Sequence, residues 1–147
     1  MKHSILLAVS DTDTSWEVLD YFIGLSLSPD NVEITLFHLY RDPWPEELMG
    51  IAMEEKPREN IENVLQKFKN ILMESGFNPR DIHVKLVTES YPSVAEGIID
   101  EFKKGDYSTV VLGRRKMSKA EEFVLGDVSM KLLRALEGAG ILVVKLA

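Results

Sequence analysis

Residues 108–129 read STVVLGRRKMSKAEEFVLGDVS. The run Ser108 to Leu112 is a short apolar strand that ends at Gly113, and a basic loop follows from Arg114 to Lys119. Phe123, Val124 and Leu125 lead to Gly126 and Asp127, which open a helix carrying Val128, Leu132, Leu133 and Leu136. Gly138 and Gly140 end that helix, and Ile141 to Val144 (ILVV) form a last strand. Strand, loop, helix, strand in that order is a parallel crossover unit.

The same alternation extends toward the N-terminus. Ser4 to Val9 (SILLAV) is an apolar strand that stops in the polar run Ser10 to Thr14. Thr14 and Glu17 have the spacing of a capping box, in which a hydroxyl and a carboxylate satisfy reciprocal backbone donors. The helix behind them carries Val18, Leu19, Phe22 and Ile23, and Ser28 to Asn31 make a turn. Val32 to Tyr40 (VEITLFHLY) alternates, with Val32, Ile34, Leu36 and His38 facing one way. Residues Arg41 to Pro57, with Pro43, Pro45, Trp44, Met49 and Met53, read as a loop or a loop with a short helix. From Arg58 the positions Ile61, Val64, Leu65, Phe68, Ile71 and Leu72 follow the helical period, with Gly76 at the expected stop. Ile82 to Val87 alternates again, Pro92 reads as a first-turn proline, and Val94, Ala95, Ile98 and Phe102 mark the next helix.

Five strands joined by four crossovers predict an α/β fold: an open parallel sheet with helices on both faces. The first, fourth and fifth strands are nearly continuous apolar runs, as expected of strands covered on both sides. The second and third alternate and carry charge, which suits more exposed positions. An apolar last strand at a sheet edge would be sticky. Pairing Ile141–Val144 with its twin in a homodimer would cover it.

Composition narrows the function. The 147 residues suit one domain spanning 1–147, and a domain of this size buries roughly 70% of its unfolded surface without needing a staple. Seventeen Lys and Arg against 24 Asp and Glu give a net charge of −7, which argues against diffuse nucleic-acid binding. The absence of Cys excludes a disulfide framework, a thiolate nucleophile and thiolate-ligated metals. The apolar run Ile5 to Val9 is too short for a signal-peptide core, and no stretch approaches the ~20 apolar residues that span a bilayer. The expectation is a soluble cytoplasmic protein with no membrane association.

In open parallel sheets ligands bind beyond the carboxyl ends of the strands, which points to the loops after Val9, Tyr40, Val87 and Leu112. Between Gly113 and Ser129 two glycines permit close backbone approach, and a helix N-terminus offers free N–H groups to an anion. Arg114, Arg115, Lys116 and Lys119 add positive charge in an otherwise acidic chain. Spacing alone leaves two readings: a solvated basic loop between turn glycines, the more common case, or a phosphate-sized anion site.

The chain resembles a single-domain universal stress protein along essentially its whole length. The family signature places glycine after the fourth strand, two residues, a second glycine, nine residues, then glycine with serine or threonine. Gly113 and Gly126 match the outer glycines, and Met117 to Leu125 match the nine-residue spacer. ILLAVSDTDTS at the start, VTESYPSVA from Val87 to Ala95, and the finish ILVVK are further matches. The resemblance implies a Rossmann-like sheet in the order 3-2-1-4-5, dimerisation through the last strand, and a role in stress response through small-molecule or protein binding. It also implies that Leu112, Gly113, Arg115, Lys116, Gly126, Asp127, Val128 and Ser129 surround phosphates and ribose, with Leu39 near a base.

The sequence departs from the pattern of ATP-binding members. Where they end the first strand in aspartate, this chain has Ser10, with Asp11 beside it; the second signature glycine is Lys116; the final hydroxyl is Asp127, although Ser129 follows. A carboxylate about 4 Å from a phosphate, at an effective dielectric near 20, is repelled by several kcal/mol before screening. Lys116 fills space that glycine leaves open, binds phosphate as a point charge, or pairs with Asp127. The expectation is weak or absent ATP binding, followed by a modified small-ligand site.

Catalytic readings find little support. His3, His38 and His83 are scattered without metal-ligand spacing, and no Walker loop, dinucleotide fingerprint or nucleophile elbow is present. Asp11 and Asp13 read as helix-capping residues before a magnesium pair. A phosphorylation receiver requires an aspartate ending the third strand, where Thr88 and Glu89 stand, and a helix after the last strand. Trp44, Met49 and Met53 suggest either cover for one sheet face or docking of a protein partner.

Overall fold

The computed structural model describes residues 2–10, 14–40, 58–114 and 128–146. Among the described residues the α-helices and β-strands follow in the order β1 (His3–Ala8), α1 (Thr14–Gly24), β2 (Val32–Leu39), α2 (Arg58–Glu74), β3 (Ile82–Val87), α3 (Val94–Lys104), β4 (Thr109–Arg114), α4 (Val128–Ala135) and β5 (Gly140–Lys145). All strand pairs are parallel and the sheet order is β3-β2-β1-β4-β5. This is the order expected from the resemblance. It also separates the chain from a receiver, whose sheet runs 2-1-3-4-5.

The two helical layers follow from the alternation of side chains along each strand. Ile5, Leu7, Ile34, Leu36 and Val111 face α1 and α2, where Val18, Leu19, Phe22, Ile61, Leu65, Phe68 and Leu72 complete one core. Trp16 meets Phe68 edge-on at 4.6 Å and joins the two helices. Leu6, Phe37, Leu39, Val110 and Leu112 face the other way, against Ile98 and Phe102 of α3 and Leu132 of α4. Among the described residues no helix is long and apolar enough to cross a membrane.

Several local expectations are corrected. β2 is an interior strand buried on both faces, because Thr35, Phe37 and Leu39 fill the face opposite Ile34 and Leu36. β5, although apolar, lies at an edge with β4 as its strand neighbour. Thr14 lies within α1 rather than before it, and β4 continues through Gly113 to Arg114, paired with Val144 and Lys145 of β5. Pro92 precedes α3 instead of sitting in its first turn; Ser93 is the cap, its hydroxyl accepting from the Glu96 N–H. Val94 and Leu133 belong to their helices but point outward, Leu133 being 55% exposed. Gly76, with φ +105°, ends α2 as the sequence suggests, and Gly138, with φ +64°, follows α4. Residues 41–57, with Trp44, Met49 and Met53, lie outside the described residues.

Polar groups under the helices are paired. Glu101 of α3 is buried and receives Lys85 Nζ at 2.7 Å and the Tyr107 hydroxyl at 2.9 Å. Burial first, then the bond to Glu101, pushes the Tyr107 phenol up to about 12, against the opposing bond with Thr35.

One contact positions the crevice. A Cβ added to Gly113 would lie 2.5 Å from Val18 Cγ2, so α1 rests on bare β4 backbone. Replacing Gly113 with Ala forces the buried Val18 to move and is expected to cost about 1–3 kcal/mol, the usual range for overpacking. The same replacement in a Val18→Ala background should cost clearly less, as urea unfolding of the four proteins of the cycle will show.

Candidate functional site

The crevice of a 3-2-1-4-5 sheet opens where the order reverses, between the carboxyl ends of β1 and β4. The described residues around it are Val9 and Ser10 after β1, Leu39 and Tyr40 closing β2, Leu112 to Arg114 in β4, and Val128 and Ser129 opening α4. Thus Ser10, Leu39, Leu112, Gly113, Val128 and Ser129 stand at one end of the sheet and its helices, as the strand–helix alternation requires. Asp11, Arg115, Lys116, Gly126 and Asp127 lie outside the described residues, as does Asp13.

At the end of β1 the polar groups are turned toward the protein itself. The Ser10 N–H donates to Ser15 Oγ at 2.8 Å, and Ser15 Oγ donates back to the Ser10 carbonyl at 3.0 Å. The two hydroxyls are also 2.8 Å apart. One proton assignment satisfies all three contacts: Ser15 receives the amide and the Ser10 hydroxyl, and gives its own proton to the carbonyl. Ser15 is buried, so this exchange ties the crevice end of β1 to the first turn of α1. Sequence reasoning missed Ser15. The signal available was a second serine five residues on, at the entry to an amphipathic helix.

His38 adds a second tie. Its buried ring places Nδ1 2.7 Å from the Val9 carbonyl, which fixes that nitrogen as the donor. The Val9 amide in turn donates to Phe37 O at 2.7 Å, and Tyr40 N–H to Val87 O at 2.8 Å. The carboxyl ends of the adjacent strands β1, β2 and β3 are therefore laced together. His83, on β3, is half exposed and lies 2.6 Å from Glu33 Oε1.

Two of the residues expected to line the crevice by resemblance are core residues as well. Leu39 and Leu112 are each 5% exposed and belong to the cluster beneath α3 and α4. Gly97 of α3 lies on Leu39, and an added Cβ there would come within 2.7 Å of Leu39 Cδ2 and 3.5 Å of the Tyr91 ring. Tyr91, in the connection between β3 and α3, donates its hydroxyl to Asp100 Oδ2 at 2.5 Å. That bond, with burial adding to it, pushes the phenol up to about 12. Lys104, 2.8 Å from Asp100, holds the Asp100 carboxyl below its ordinary range, with Tyr91 contributing, and is itself pushed upward by Asp100. Among the described residues no group of three or more His, Asp or Glu could hold a metal ion.

An open parallel sheet with helices on both faces and a crevice at the β1–β4 reversal defines the class of doubly wound, Rossmann-like α/β domains. More narrowly, the universal stress protein family model matches residues 1–144, and the chain belongs to that family. A comparison with curated protein sequences gives no match. Solved structures resemble it at low identity. A universal stress protein in complex with cAMP aligns at 15% identity and TM-score 0.68 over 97% of this chain and 95% of that one. A family protein from Arabidopsis thaliana with AMP bound aligns at 15% identity and TM-score 0.67 over 99% and 92%. A universal stress protein from Archaeoglobus fulgidus in complex with dAMP aligns at 16% identity and TM-score 0.53 over 99% and 98%.

Removing the Ser15 hydroxyl leaves the Ser10 amide and carbonyl without this partner. Ser15→Ala is expected to lower stability by about 0.5–1.5 kcal/mol, the ordinary net worth of an intramolecular hydrogen bond whose other partner reaches solvent, and denaturant unfolding measures it.

Proposed function

We propose that the chain is a non-catalytic stress-response domain acting through small-molecule or protein binding, with a nucleotide crevice whose contacts are partly spent on the protein itself. The Ser10–Ser15 exchange carries this reading. The amide and carbonyl at the end of β1 serve an internal hydroxyl at 2.8 and 3.0 Å, so a ligand entering the crevice competes with it for both. The burial of Leu39 beneath α3 supports the same conclusion. So does the substitution of Lys116 and Asp127 into the phosphate signature, which sets a carboxylate where a phosphate expects donors.

The non-catalytic part draws on His38 and His83, since His38 serves the Val9 carbonyl and His83 faces Glu33. A second reading, an ATP- or AMP-binding member with a modified phosphate loop, is favoured by the AMP and dAMP carried by two proteins of similar fold. Calorimetric titration with ATP and magnesium, and with AMP, separates the two. The expected result is dissociation constants of hundreds of micromolar or weaker and no phosphate release from ATP. Low-micromolar affinity favours the second reading, and sustained phosphate release removes the non-catalytic one.

The partner part of the proposal is a homodimer through β5. This edge presents Ile141, Leu142 and Val143, all partly exposed, with Lys145 as its charged residue. Light scattering at micromolar concentration is expected to give about twice the 16.7 kDa chain mass; a monomer removes this part.

A further inference from the structure

We propose that Tyr91 is a latch on the connection between β3 and α3, and that releasing it opens the apolar floor formed by Leu39 and Val87 to the planar ring of a ligand. The identity of that ring rests on the nucleotide reading above; the latch itself does not.

In the connection 88–93, Thr88, Glu89, Ser90 and Pro92 are exposed, while Tyr91 packs against the core cluster that contains Leu39, Ile98 and Leu112. Its ring lies beside bare Gly97, at the point where Leu39 also meets α3. Leu39 is in register with Val87, so both end their strands at the crevice end of the sheet. The Tyr91 hydroxyl fixes the ring by donating to Asp100, which Lys104 holds in place from the next turn of α3. A phenol has one proton to give. Glu89, 3.3 Å from the same oxygen, competes for it from within the connection, at a longer distance. Ser93 ties the end of the connection to the first turn of α3, but the position of the Tyr91 ring itself rests on its hydroxyl's bond to Asp100, backed by Lys104.

With the ring in place Leu39 is 5% exposed. A flat ligand ring that packs on Leu39 must first displace the Tyr91 ring, so its apparent affinity is scaled down by the fraction of molecules with the latch open. A ligand with no ring carries no such penalty.

The experiment uses the full chain as wild type, Tyr91→Phe and Tyr91→Ala. Tyr91→Phe keeps the packing ring and removes the hydrogen bond. Hydrogen exchange without ligand should be at least tenfold faster across 88–93 in Tyr91→Phe, with α3 and the sheet unchanged; unchanged exchange there overturns the latch. Titration with AMP, and with inorganic tripolyphosphate as the probe without a ring, reads the gating. AMP should bind Tyr91→Ala at least tenfold more tightly than wild type, with tripolyphosphate unaffected. Weaker AMP binding to Tyr91→Ala overturns the gate, because Tyr91 is then a platform for the ligand. AMP binding to none of the three proteins overturns the gate together with the nucleotide reading, and faster exchange in Tyr91→Phe still establishes the latch.

Discussion

The contact between Val18 and the bare backbone of Gly113 determines what the crevice looks like. α1 lies against β4 because strand position 113 has no side chain. With the helix seated there, its first turn brings Ser15 to the end of β1, where it meets the amide, carbonyl and hydroxyl of Ser10. A glycine at this point reads in the sequence as room for an anion. In the structure its missing side chain makes room for a helix, and that packing requirement is sufficient to explain it.

The strand–helix rhythm was legible because each element buries a regular set of side chains. Ile61, Leu65, Phe68 and Leu72 keep the helical period and are all buried, and Leu6 and Leu7 point to opposite cores as a doubly covered strand requires. Strand position was less legible. β2 looks half exposed because Glu33 and Thr35 interrupt its run, yet the sheet order surrounds it, and Thr35 is buried within reach of Tyr107. β5 looks interior because it is apolar throughout. Hydrophobicity reports that a strand is covered and cannot say whether its own sheet or another chain covers it.

The candidate site was legible where it coincides with strand ends and illegible where it depends on who bonds whom. Leu39 and Leu112 follow from the register of two strands. The Ser10–Ser15 exchange and the Tyr91–Asp100 bond do not, since they join residues five and nine apart through side-chain geometry that no periodicity encodes; only the Asp100–Lys104 pair has the four-residue spacing of a helix. The Ser93–Glu96 box was a signal overlooked: the spacing of SVAE at 93–96 is that of a capping pair, and it places Pro92 outside the helix.

The two sheet edges carry different solutions to the same exposure. On β3, Lys85 is held by buried Glu101 and His83 lies against Glu33, so charged side chains punctuate the edge strand and discourage a second sheet from docking. On β5, Ile141, Leu142 and Val143 stand in succession with charge only at Lys145. Tyr21 on α1, Leu25 just past its end, and Met130 and Leu133 on α4 are exposed, on the helices whose layers flank β4 and β5. The two edges therefore differ in kind: paired charges punctuate β3, whereas the apolar side chains of β5 stay partly exposed.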